Sequence, residues 1–276
     1  MRLFVMLLLL LGGPVRAGEA VQAGEPDARA IIARAFEAAG GEDWARARSL
    51  WLSGRAVFYG EAAAPRVVAD DYVMWREFEE SRTNAHGEAG KVLIEAKTGG
   101  RTLFMVGSNG EVSYNDKGII PKAEADRFWA NNFGFGVIRS AMGPGFVLTR
   151  LPDDNVDGHP TFTVRVTDPA GTATLFGIDK ASHVIRMVGF ATPTGWHVRH
   201  YDDFVQAPGW TQARKVTLYY NGVIANQVFW TDWKVNPVLR PGLFDPPSLP
   251  APPLPSSSSG PGQSRTGTSP PSPPRP

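Results

Sequence analysis

The feature that most constrains this chain is a long succession of strand-like segments over residues 50–233, interrupted once by an aromatic-rich, helix-like stretch at 122–142. A sheet formed within one chain needs something to cover its apolar face. Here the candidate cover is the interruption itself, which carries Phe128, Trp129, Phe133, Phe135, Ile138 and Met142. Gly134 and Gly136 weaken it as a helix by about 1 kcal/mol each relative to Ala. An apolar sheet under a loosely held cover suits a container for a greasy ligand. It also suits an ordinary core, and the residues alone leave both readings open.

The strands are read from alternation and turn chemistry. In 50–59, Leu52, Ala56 and Phe58 take one face while Trp51, Val57 and Tyr59 take the other. In 161–167, Phe162, Val164 and Val166 alternate with Thr163, Arg165 and Thr167, the pattern of a half-buried antiparallel strand. Asn109-Gly110, Asp157-Gly158 and Asn221-Gly222 supply the positive φ angles that tight hairpins need. About ten to eleven antiparallel strands follow, enough to curl into a barrel or half-barrel. Ahead of them, residues 26–39 predict a helix with Ile31, Ile32, Ala35, Phe36 and Ala39 on one stripe, stopped by Gly40-Gly41.

The two ends are different material. Residues 1–17 have a positive start at Arg2, an apolar run at 3–11 and a small residue at Ala17, which reads as a secretory signal. That run is about half the length a bilayer-spanning helix needs. Residues 18–25 read as a flexible linker. Residues 246–276 hold 12 Pro, 8 Ser and no acidic residue. Such a stretch buries too little apolar surface to offset its chain entropy, so a disordered tail is expected, from about residue 248. The chain has no cysteine, so it has neither a disulfide nor the Cys that lipid attachment to an exported protein requires. A hydrophobic core, expected within 26–247, must carry the stability. With 1–17 and 246–276 and their four arginines set aside, 24 basic face 27 acidic residues, a net charge of −3. No basic stripe is present, which argues against nucleic acid as a partner.

Catalytic constellations are weak. His197 and His200 are three apart on a strand, so they point to opposite faces and should not converge on a metal; residues 196–203 read instead as an edge strand with a solvated face. Asp70-Asp71 and Glu79-Glu80 diverge for the same reason. Ser108 lacks the Gly-x-Ser-x-Gly setting of a nucleophile elbow. The reading is therefore non-enzymatic and without cofactor. The informative residues are aromatic: Trp51, Phe58, Trp75 and Phe104 on strands join the helix residues Phe128, Trp129, Phe133 and Phe135 as candidates to line a cavity, with Ile138 and Met142.

The order of elements resembles a known superfamily. It comprises an opening helix ending at Gly40, Gly41 and Trp44, strands, a mid-chain helix, and Leu151-Pro152-Asp153 through Val156-Asp157-Gly158. Gly171-Thr172-Ala173-Thr174-Leu175-Phe176-Gly177-Ile178-Asp179 and a close at Val235-Asn236-Pro237 and Phe244-Asp245-Pro246 complete it. Together these resemble the periplasmic outer-membrane lipoprotein-sorting factors, the LolA/LolB-like proteins, over roughly residues 26–247. The resemblance implies an α+β fold: an unclosed antiparallel half-barrel lidded by helices over a hydrophobic cavity for acyl chains. The expected protein is then a periplasmic monomer carrying a lipid or an acylated protein, with transient membrane contact. The alternative is an envelope module with a solid core that binds a protein partner. The proline-rich tail departs from the superfamily's common pattern.

Overall fold

The computed structural model describes residues 26–60, 63–79, 90–132 and 135–247, without the side chains of 131–137. The expected signal, linker and tail lie outside the described residues, as do Phe133, Gly134 and the side chain of Phe135.

Thirteen strands form one antiparallel sheet. The first block is β1 (Ser49–Tyr59), β2 (Pro65–Glu77), β3 (Lys91–Thr98), β4 (Arg101–Ser108), β5 (Ser113–Asn115) and β6 (Gly118–Ile119). The second is β7 (Val147–Val156), β8 (His159–Thr167), β9 (Ala173–Asp179), β10 (Ile185–Thr192), β11 (Gly195–Ala207), β12 (Trp210–Tyr220) and β13 (Val223–Val235). Each block is a meander, and the two meet where β1 pairs with β13, so the spatial order is β6 to β1, then β13 down to β7. The two edges do not meet, leaving a half-barrel. The strand number exceeds the expected ten to eleven; β6, with two residues, is too short to show any alternation. At the seam, Gly54 lies where an added Cβ would fall 2.0 Å from the Phe229 carbonyl oxygen, beside the bulge in the β1–β13 register. Only a residue without a side chain fits there.

Helix α1 (Ala28–Ala39) starts at Asp27, whose carboxylate accepts the Ala30 N–H at 2.7 Å. Its apolar stripe buries Ile31, Ile32, Ala35 and Ala39 against β7, β8 and β12. It stops at Gly40, φ +130°, where a Cβ would lie 2.3 Å from the Gly209 carbonyl. A short α2 (Gly41–Ala45) follows, carrying Trp44 edge-on to Phe36 at 6.0 Å. The mid-chain cover is not one helix to Met142. It is α3 (Lys122–Asn132) and then a 3₁₀ turn, Phe135–Ser140. Gly136, a poor helix former, falls within the 3₁₀ turn.

Under α1 the sheet is solid. Val164, Val166, Phe176, Ile178, Val188 and Phe190 on β8–β10 are all fully buried. The hairpins of this block are tied by carboxylates. Asp168 accepts the Ala170 and Thr172 N–H groups, and Asp179 accepts those of Ala181 and Ser182 and the Arg186 guanidinium at 2.7 Å. Burial pushes the Asp179 carboxyl up, but the Ser182 and Arg186 hydrogen bonds outweigh it and hold the group at about 2.

Candidate functional site

Beyond the solid half, the concave face opens into a cavity of about 460 Å³. Its floor comes from alternate residues of the central strands: Leu50 and Leu52 on β1, Tyr72 and Met74 on β2, Val216 and Leu218 on β12, Val228 and Trp230 on β13. Its roof comes from the end of α1, from α2, from Phe128 on α3 and from Arg139 on the 3₁₀ turn. The last turn of α1, α2 and the link to β1 contribute the small residues Ala38, Ala39, Ala45 and Ala47 to the roof, together with the large side chain of Trp44. The walls are mainly apolar, and the polar side chains gather in two groups.

The first group surrounds Arg139. Its guanidinium carbon lies 4.6 Å from the Trp44 ring centre, 4.4 Å from Phe78 and 5.7 Å from Trp210. Each contact lies within cation–π range. Arg76 shares the Phe78 ring at 5.2 Å, and Glu79 stands exposed beside them. Three elements (α2, β12 and the end of β2) thus hold the 3₁₀ turn over one end of the cavity.

The second group surrounds Arg199 on β11. His197, Arg199 and Tyr201 alternate onto the concave face. His197 is fully buried, stacked on Phe190 at 4.6 Å and edge-on to Tyr220 at 4.8 Å. Arg199 donates through Nε to His197 Nε2 at 3.0 Å and hydrogen-bonds the Tyr201 hydroxyl. An accepting Nε2 leaves the imidazole proton on Nδ1. Burial pushes the phenols of Tyr72 and Tyr201 up, Tyr72 to about 12, while the Arg199 charge works in the opposite direction on both. Both rings keep some accessible surface, and that surface faces the cavity. Tyr72 and Arg76 are four residues apart on one strand, about 13 Å, so the two groups mark opposite ends.

The sequence candidates distribute unevenly. Phe128 lines the cavity. Phe58 and Phe104 pack edge-on to each other at 5.5 Å and to Tyr72 at 6.2 and 6.5 Å, behind the wall that Tyr72 forms. Trp129 is buried with Val92, Val106 and Ala125, donating its indole N–H to Ser113 at 2.7 Å, so it fastens α3 to the sheet. Ile138 and Met142 belong to the main core. Trp51 and Trp75 pair across β1 and β2 and border a shallow recess with Leu239 and Leu243, apart from the cavity. Strand alternation already puts Trp51 opposite Phe58.

The residues missed are Trp44, Tyr72, Arg139, Arg199, Tyr201 and Trp210. The solvated-edge reading of 196–203 is corrected: β11 lies between β10 and β12 and its inward residues are enclosed. As alternation requires, His200 faces the other way, 2.9 Å from Asp157. Among the described residues no three His, Cys, Asp or Glu side chains are placed to hold a metal ion, and no helix is long and apolar enough to cross a membrane.

No family model matches the chain, and no curated protein matches it. Solved structures do. A DUF1329 family protein from Desulfovibrio piger aligns with 80% of this chain and 98% of its own, at 9% identity and a TM-score of 0.50. A LolA superfamily protein from Nitrosomonas europaea aligns over the same shares at 11% identity and a TM-score of 0.49. An outer membrane lipoprotein-sorting protein domain from Vibrio parahaemolyticus covers 71% of this chain and 89% of its own, at 12% identity and a TM-score of 0.46. At such identities the likeness concerns the fold alone, an unclosed antiparallel half-barrel under helices.

Proposed function

We propose that this protein is a periplasmic carrier that holds a lipid, or the acyl chain of a lipoprotein, in the cavity between the sheet and its helices. The observation that carries the reading is the cavity itself, about 460 Å³, walled mainly by apolar side chains inside one half of a sheet whose other half is solid. That volume falls within the roughly 300–1,000 Å³ of small-molecule sites. Binding is passive: each methylene moved from water into such a space contributes about 0.8 kcal/mol. No bond is made or broken, and release needs a receiving surface rather than a reaction. Exchange occurs where α3 and the 3₁₀ turn form the roof.

The test is native mass spectrometry of the full chain, purified from periplasm without detergent, with organic extraction of whatever accompanies it. A co-purifying amphiphile near unit stoichiometry is expected. A bare protein mass, together with failure to take up added fatty acid or phospholipid, would sink the carrier reading and favour a protein-binding module of the same fold.

A further inference from the structure

The polar group at the Arg199 end is placed unlike an ordinary surface arginine. It sits on the concave face of an interior strand, between the apolar neighbours Val188 and Leu218 across the sheet. Two tyrosines stand around it: Tyr201, whose hydroxyl it hydrogen-bonds, and Tyr72, whose phenol feels its charge. Arg199, Tyr72 and Tyr201 all line the same cavity. Among the described residues lining that cavity, three are arginines and one, Glu79, is acidic; Glu79 belongs to the opposite, exposed end. The arginines at that other end are stacked on aromatic rings, with Arg139 held by three. Arg199 instead has hydroxyl groups beside it that can turn their protons toward an incoming acceptor.

From this we infer that the cavity is built for a single-chain amphiphile with an acidic head, whose carboxylate or phosphate oxygens accept hydrogen bonds from the Arg199 guanidinium and from the Tyr72 and Tyr201 hydroxyls. Its chain runs along Met74, Val216 and Val228 toward the Arg139 end. The inference rests on the carrier reading and adds the ligand's head group and its orientation. The head is compact, because the walls at this end are whole tyrosine rings. The acid must be ionised, because a guanidinium in apolar surroundings discriminates by charge: hydrogen bonds to an ionised partner are roughly twice as strong as neutral ones. A neutral alcohol of equal length offers the guanidinium only an uncharged acceptor, the weaker of the two bonds.

The experiment is fluorescence displacement on the full chain with three ligands of one chain length: palmitate, cetyl phosphate and cetyl alcohol. On the native protein at least one acid is expected to bind roughly ten- to a hundred-fold more tightly than the alcohol. Whichever acid is preferred identifies the head group. In Arg199→Gln that preference should collapse to within about threefold while the alcohol keeps its affinity. Tyr201→Phe, which removes one hydroxyl and keeps the ring, should reduce the preference partially and serves if the arginine variant does not fold. Equal binding of acids and alcohol by the native protein overturns the acidic-head inference and leaves the carrier reading standing. A full acid preference retained in Arg199→Gln also overturns it. Failure of all three ligands to bind overturns both.

Discussion

One sheet serves two purposes in its two halves, and the contrast lies in what stands opposite each. On β8–β10 the inward residues are Val164, Val166, Phe176, Ile178, Val188 and Phe190, all without accessible surface. On β1–β3 and β11–β13 they are of the same kind (Leu52, Met74, Ile94, Val216, Val228), yet several keep accessible surface toward a cavity. The covering helix carries the difference. Where α1 lies over the solid half it presents Ile31 and Ile32; where its last turn and α2 reach the cavity they present Ala38, Ala39 and Ala45, with Trp44 as the large side chain at the Arg139 end. Branched side chains fill the space under the first turns, and methyl groups leave it open under the last. An apolar strand face is therefore a core or a container according to the size of the residues across from it.

The sharpest test of that contrast is a pair of truncations. Phe176→Ala should cost about 3–5 kcal/mol in urea unfolding, because the site cannot collapse. Ile94→Ala, beside space that already exists, should cost less than about 2 kcal/mol. Equal losses would mean that the two halves are packed alike. Enlargement reverses the roles with smaller effects. Val188→Phe overpacks the solid half and should cost about 1–3 kcal/mol. Val216→Phe grows into the cavity and should change stability by under about 1 kcal/mol. In uptake assays that variant should hold less lipid; unchanged uptake would move the ligand elsewhere. The smallest effect concerns the roof. Arg139→Gln removes the stacking on Trp44, Phe78 and Trp210, which should cost about 1 kcal/mol. Release of a fluorescent fatty acid should quicken several-fold, and unchanged release would mean that this end is not the route.

Much of the half-barrel was legible in the sequence, because its signals are local. The α1 stripe, the Asn221-Gly222 and Asp157-Gly158 hairpins and the clean alternation of β8 each depend on neighbours within a few residues. The cavity was not legible. Tyr72 and Phe176 both read as aromatic strand residues facing inward, and only the opposing side chain decides which one meets a void. Arg199 was hidden for a related reason. Arg199 is flanked by Val188 on β10 and Leu218 on β12, and that enclosure depends on the pairing of strands on both sides of β11. Read without its two neighbours, the charged run at 199–203 looks like solvated edge. The aromatic count drew attention to Trp51 and Trp75, yet strand parity gave the better guide, since it already placed Trp51 apart from Phe58.

The seam between β1 and β13 sets a timetable. Leu50 is opposite Val235, and the Asn236 side chain accepts the backbone N–H groups of Arg48 and Ser49 across 188 and 187 residues of chain. In a chain that emerges N-terminus first, β1 waits for nearly the whole of the domain before its second neighbour arrives. Throughout that interval its outer edge and the apolar face of the first block stand open to whatever else is nearby. A nascent chain with this topology has more need of an escort than its finished form would suggest.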